Sequence, residues 1–131
     1  MLITRIYSDK NGESNFEEIS IQLKDAGEIG RLSESYKVKE IIFRETSGSY
    51  DYDFHNAPQK QFIVLLDGLI EIESSKGEKR SFESGNILLV EDTTGKGHKT
   101  KSVDGKLRRS IFITIGDEDV KIKRNNKTPF G

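Results

Sequence analysis

The amino-acid sequence predicts an all-β protein, a barrel or a sandwich, built from about ten or eleven short strands. Apolar and polar residues alternate along most segments, which is the two-residue period of a half-buried strand. Glycines and prolines mark turns at intervals of roughly 8–12 residues, and no segment carries a convincing helical period. A chain of 131 residues suits one domain, and we place its core at about residues 38–115.

The N-terminal segment, residues 2–23, holds the first two predicted strands, at 2–7 and 16–23. Ile19 and Ile21 alternate with polar residues, which is strand spacing. We expect both strands to be added either to the barrel or to a dimer interface.

A polar stretch with two glycines, residues 24–36, predicts a surface loop. The next segment, 38–46, predicts a strand in which Ile42, Arg44 and Thr46 share one face.

The strand predicted at 50–55 alternates strictly before Pro58 ends it. Aromatic residues take one face, and acidic residues with a histidine take the other: Tyr50, Tyr52 and Phe54 against Asp51, Asp53 and His55.

Residues 61–66 are apolar on both faces, as in a strand buried on two sides. Alternate residues point into the barrel and the others point away: Gln61, Ile63 and Leu65 against Phe62, Val64 and Leu66. Burying such an apolar side chain is worth about 1.5–3 kcal/mol. The outward three should therefore pack against the second sheet, a terminal strand or a partner, and we predict a homodimer.

Six further segments complete the predicted strands: 69–73, 80–83, 86–90, 97–103, 107–115 and 120–123. The polar tail, residues 124–131, is expected to be extended or frayed.

Composition excludes several classes of partner. Lys and Arg number 21 against 22 Asp and Glu, so the basic surplus that nucleic acid or an anionic membrane requires is missing. No apolar run approaches the ~20 residues of a membrane span, and the absence of cysteine excludes disulfides and thiolate metal sites. We expect a cytoplasmic protein with a small-molecule ligand.

Two spaced motifs carry a family resemblance. In the first motif, six residues separate Gly48 from His55. Ala57 and Gln61 follow, and Gly68 ends the motif. This resembles the first motif of the cupin family, in which a glycine, two histidines, a glutamate and a second glycine recur at similar spacing. Here Ala57 stands at the second histidine, Gln61 stands at the glutamate, and the first gap is one residue longer.

The second motif lies at residues 85–98. Gly85 fits the family pattern, Lys96 stands at the histidine position, and His98 follows two residues later. The resemblance covers the central half of the chain and implies a cupin-type jelly-roll β-barrel.

In the family, the two motifs present three histidines and a glutamate to a divalent metal. Only His55 and His98 match those ligand types here, and Gln61 offers an amide oxygen without charge. Losing a carboxylate beside a cation gives up about 4 kcal/mol at ~4 Å and an effective dielectric constant near 20. Asp53, two residues before His55, can restore a two-histidine, one-carboxylate set that suits a divalent metal such as Fe, Mn, Zn or Ni. The opposing interpretation is that Asp53 belongs to a solvated strand face.

Other residues are candidates for ligand binding. Arg44 can clamp a carboxylate or phosphate with its fork of donors, or it can form an ion pair with Glu40, Asp51 or Asp53. Tyr52 reaches a ligand only if the strand register differs from strict alternation.

In a hairpin loop, Glu91 or Asp92 is a candidate source of the charge that Gln61 lacks.

These features favour a small cupin-fold protein that binds a small polar or anionic metabolite inside the barrel, with metal-dependent catalysis through His55 and His98 as an open extension. One alternative is a non-catalytic sensor that has lost the metal site. Another is a metal-free epimerase or isomerase, in which His98 works with Tyr52 or Asp53 as an acid–base pair. The sequence leaves open whether the protein is an enzyme.

Overall fold

The computed structural model describes residues 1–116, and the strand expected at 120–123 and the tail at 124–131 lie outside that range. The described part is nearly all β. Its strands, in chain order, are β1 Leu2–Ser8, β2 Ser14–Ser20, β3 Lys24–Asp25, β4 Arg31–Leu32, β5 Glu40–Thr46, β6 Asp51–His55, β7 Gln61–Leu65, β8 Leu69–Glu73, β9 Lys79–Glu83, β10 Ile87–Val90, β11 His98–Ser102 and β12 Arg108–Thr114.

Two sheets form the body of the protein. One has six strands in the order β2-β1-β10-β7-β12-β5, and the other has four in the order β6-β11-β8-β9. From β5 onward the chain changes sheet at nearly every connection, which is the crossing pattern of a jelly roll. The predicted all-β class is therefore confirmed, and the architecture is the one that the cupin resemblance implied.

The main hydrophobic core lies between the two sheets, which both contribute to it. Its fully buried members include Ile6, Leu65, Ile70, Ile72, Phe82, Leu88 and Val90. At about 1.5–3 kcal/mol for each buried side chain, this layer is what holds the sheets face to face.

A second cluster packs on the other face of the six-stranded sheet. Ile3, Ile19 and Leu89 are buried there, and Phe62 packs against them. The N-terminal strands β1 and β2 thus join the large sheet, and β1 pairs in parallel with β10. They cover Phe62, one of the three outward residues, whereas Leu66 remains exposed.

The stretch at 24–36 lies on the surface as predicted, but it is not irregular throughout. The two-residue strands β3 and β4 pair around a single 3₁₀ turn at Gly27–Ile29. Within the described residues, no helix is both long and apolar enough to cross a membrane.

Candidate functional site

A cavity of about 500 Å³ opens between the two sheets. That volume falls in the range of small-molecule sites. Its deep part is apolar, with Ile63, Leu88 and Val90 among its lining. Polar and aromatic side chains line much of the rest, among them Arg44, Tyr50, Tyr52, His55, Gln61, His98, Thr100, Arg108 and Ser110.

The two histidines of the sequence meet in this cavity. His55 ends β6 and His98 begins β11, and the two residues are register partners in the antiparallel pair. Their ring centroids are 4.7 Å apart. His98 is buried, with 5% of its surface exposed, whereas His55 is half-buried.

A β-bulge decides which residues of β6 face the cavity. His98 pairs with His55 and Thr100 pairs with Tyr52, so three steps on β6 oppose two on β11. The strict alternation predicted for 50–55 is therefore wrong beyond Tyr52, because the extra residue lets Tyr52 and His55 face the same side. The Tyr52 ring lies 4.4 Å from the ring of His55, centroid to centroid.

The bulge also places Asp53 outside the site. Its side chain is exposed and accepts a hydrogen bond from the backbone N–H of Phe54. Asp53 contributes to the site through its backbone carbonyl oxygen, which lies 2.8 Å from Nδ1 of His55. Donation of the Nδ1–H to this oxygen fixes the orientation of the His55 ring and leaves Nε2 as the ring nitrogen outside this hydrogen bond.

His98 is held by a buried carboxylate. Its Nδ1 lies 2.5 Å from Oδ2 of Asp92, a residue with no exposed surface. The other oxygen of Asp92, Oδ1, has no hydrogen-bond partner among the described residues. A carboxylate in this position accepts the ring N–H and fixes the orientation and tautomer of the imidazole. The other candidate of that loop, Glu91, instead bonds Arg5 in an ion pair.

The environment of His55 disfavours its protonation. Burial is the largest cause that lowers the pKa of His55, and repulsion by the neighbouring His98 and Arg44 lowers it further. The carbonyl of Asp53 opposes these effects in part. His55 is therefore neutral near pH 7, where it can accept a proton or a hydrogen bond.

Two arginines share the cavity. The Arg44 guanidinium lies 5.5 Å from the ring centroid of Tyr50, and that of Arg108 lies 5.4 Å from the same centroid. Over residues 1–116 neither forms an ion pair with a carboxylate, so the pairs considered for Arg44 with Glu40, Asp51 or Asp53 are not formed.

Arg108 is the more constrained of the two. It is 6% exposed, and its Nη1 is buried without a hydrogen-bond partner in the described part of the chain. Burial lowers the pKa of Arg108, and the charge of Arg44 lowers it further.

The sequence does not single out Arg108, because the next residue, Arg109, is also an arginine. Arg109 follows directly, faces outward and bonds Asp67. The strand after them is apolar on both faces, so its alternation does not tell which arginine points inward.

The donors of the cavity do not fit a metal centre with three or four protein ligands. Gln61 is buried and lines the cavity with His55 and His98. Asp53 is turned outward, and no group of three or more His, Cys, Asp or Glu in the described ranges has metal-binding geometry. The site has two imidazoles and lacks the anionic ligand that divalent metals favour beside them.

Comparisons with known proteins find likeness only among solved structures. No family model matches the chain, and no curated protein matches it. Protein NMB1881 from Neisseria meningitidis is similar with a TM-score of 0.46 and 13% identity, over 63% of this chain and 84% of that one. A candidate ethanolamine utilization protein Q from Salmonella typhimurium LT2 is similar with a TM-score of 0.36 and 12% identity, over 88% of this chain and 95% of that one.

Proposed function

We propose that the barrel binds a small anionic metabolite, a carboxylate or a phosphate ester, held by Arg44 and Arg108. The observation that carries the proposal is the buried guanidinium of Arg108, whose Nη1 has no partner in the described residues. A buried charge is costly unless it is paired, and two neighbouring guanidinium groups repel each other. An anion from solution relieves both costs, and bidentate bonds from arginine match carboxylate and phosphate oxygens.

The rest of the cavity suits the body of such a ligand. Tyr50 and Tyr52 form an aromatic wall between the arginines and the histidine pair, with 5.9 Å between their ring centroids. Thr100 and Ser110 add hydroxyl groups to the lining. A ligand anchored by its anionic group at Arg108 would extend along this wall toward His55.

The test is calorimetric titration with inorganic phosphate and with succinate as probes. We expect Arg108→Gln to weaken binding of the better probe by about 10- to 100-fold, since hydrogen bonds to charged groups contribute about 1.5–3 kcal/mol. The matched control is Arg109→Gln, which removes the adjacent but exposed arginine. The proposal fails if neither probe binds, or if both variants bind alike.

A second candidate function is metal-free acid–base catalysis on the same ligand. The buried contact between His98 and Asp92 favours it, because a histidine oriented by a carboxylate is a common general acid or base. Transfer of deuterium from D₂O to a carbon of a hydroxy acid or sugar phosphate, lost in His98→Asn, would support this activity. If binding is retained and no exchange occurs with these probes, a non-catalytic binding module or sensor is favoured.

A further inference from the structure

The strand β5 ends the six-stranded sheet, and one of its edges pairs with no other described strand. Its outward face carries two exposed apolar side chains beside Glu45: Ile41 is 55% exposed and Phe43 is 74% exposed. An open edge with exposed apolar residues is a template for pairing with another strand, and natural proteins normally cover or charge it.

The free backbone groups of this edge follow from the bonds of its neighbours. The carbonyl of Arg109 accepts a hydrogen bond from the backbone N–H of Leu66, the residue directly after β7. Backbone groups alternate direction along a strand, so Ser110 turns its N–H and C=O groups toward its register partner Arg44 on β5. The next odd-numbered residues, Ile41 and Phe43, therefore turn their N–H and C=O groups to the open edge.

We propose that a second copy of this chain occupies the edge, with β5 pairing antiparallel to its counterpart about a twofold axis at Ile42. In this register Ile41 lies opposite the partner's Phe43, with their free backbone groups facing each other. Glu40 lies opposite the partner's Arg44. By symmetry each pair occurs twice, and directly opposed apolar and opposite-charge pairs both stabilise a sheet.

The charges favour this register over the one centred on Phe43. Two copies related by a twofold axis keep a continuous sheet face only if the axis passes through a residue. An axis at Phe43 places Ile41 opposite Glu45 and Ile42 opposite Arg44, which leaves every charge against an apolar or neutral residue. The axis at Ile42 is the register that matches an acid with a base and an apolar residue with an apolar residue.

This arrangement would connect assembly to the cavity. Arg44 lines the cavity, so the partner's Glu40 would lie beside an anion-binding residue. A guanidinium has five donors, and pairing with one carboxylate leaves others for a ligand. The second copy would orient Arg44 while Arg108 keeps its buried charge for the anion.

The test is a charge-reversal exchange followed by light scattering after size-exclusion chromatography. We expect a dimer for the wild type at micromolar concentration and monomers for Glu40→Arg and for Arg44→Glu, because each single change opposes like charges twice. Mixing the two variants in equal amounts should restore a dimer, since every opposed pair in the mixed assembly is again acid against base. That recovery also shows that both variants are folded.

Glu18→Arg is the matched control. Glu18 is exposed on β2 at the opposite edge of the same sheet, and its reversal should leave the dimer intact. The proposal is overturned by a monomeric wild type, by single variants that remain dimeric, or by a mixture that stays monomeric. A dimer that Glu18→Arg dissociates would assign the interface to the other edge and overturn it as well.

Discussion

His55 and His98 are direct register partners on β6 and β11, with 4.7 Å between their ring centroids. Two imidazoles this close resist being protonated together, because like charges in a partly buried site repel. The carboxylate of Asp92 stands beside His98, whereas His55 has only a carbonyl oxygen at its Nδ1. The two rings therefore differ in their Nδ1 partners, a buried carboxylate for His98 and a backbone carbonyl for His55.

The lowered pKa of His55 makes the stability of the protein depend on pH. Burial is its main cause, and a histidine with a lower pKa in the folded state binds protons more readily when unfolded. The free energy of unfolding should therefore fall as pH drops below the unfolded pKa of about 6.5, and it should level off below the folded pKa. Urea unfolding at a series of pH values measures this slope.

His55→Gln isolates the contribution of His55 to this pH dependence, because glutamine does not titrate. The variant should lose the part of the slope that begins just below pH 6.5, while Asp53→Asn, on the exposed side of the bulge, should retain it. Identical slopes in His55→Gln and the wild type would show that the histidine does not cause the effect.

Arg108→Met should separate stability from binding. Removing a buried charge that lacks a carboxylate partner among the described residues is expected to raise the free energy of unfolding of the ligand-free protein by about 1 kcal/mol. The same change should abolish the stabilisation that phosphate or succinate gives the wild type. Chemical unfolding with and without the probe anion measures both effects.

Arg109→Met serves as the control, since that side chain is exposed and bonds Asp67 at the surface. The free energy of unfolding of Arg109→Met should differ from that of the wild type by no more than about 0.5 kcal/mol, and the variant should still be stabilised by the anion. A destabilised Arg108→Met would mean that the guanidinium is satisfied without a ligand.

Gly97 precedes His98 and supports the bulge. It has φ +73, and a Cβ there would overlap the carbonyl oxygen of His55. Gly77 has a similar φ of +89 but open space around a Cβ. Gly77→Ala should cost about 1 kcal/mol for the left-handed backbone alone, and Gly97→Ala should cost roughly 1–3 kcal/mol more from the steric overlap.

The difference between the two alanine variants in urea unfolding is the measurement. Gly97→Ala should also shift the NMR signals of the His55 ring, whereas Gly77→Ala should leave them in place. Equal losses of unfolding free energy in the two variants would mean that β6 can move away from Gly97 at no energetic cost.

The sequence predicts the fold well because strand alternation and turn residues are local signals. Ile63 and Leu65 face the cavity as their alternation indicates, and the cupin-like spacing points to both histidines. The bulge in β6 has no local signal, because an extra residue in a strand is fixed by its pairing with β11. With that bulge Asp53 lies on the exposed side, as the solvated-face interpretation had it, and Tyr52 shares a side with His55, which strict alternation does not allow.

The remaining site residues depend on contacts between distant segments. Asp92 becomes the partner of His98 only because the loop between β10 and β11 brings its carboxylate against the His98 ring. The same holds for Arg108, whose inward direction is set by the pairing of β12 with β5 and β7. Neither the charge nor the neighbours of Arg108 in sequence distinguish it from Arg109.

The missing anionic ligand can be supplied by Gln61→Glu, which places a carboxylate on the cavity wall shared with His55 and His98. A new unit charge at ~4 Å contributes about 4 kcal/mol at an effective dielectric constant near 20, so affinity for Ni²⁺ should rise by roughly two to three orders of magnitude. Calorimetry with Ni²⁺ checks this, with Gln22→Glu, an exposed site outside the cavity, as control. Stoichiometric metal in the wild type purified without chelators, or equal affinity in both variants, would contradict the argument.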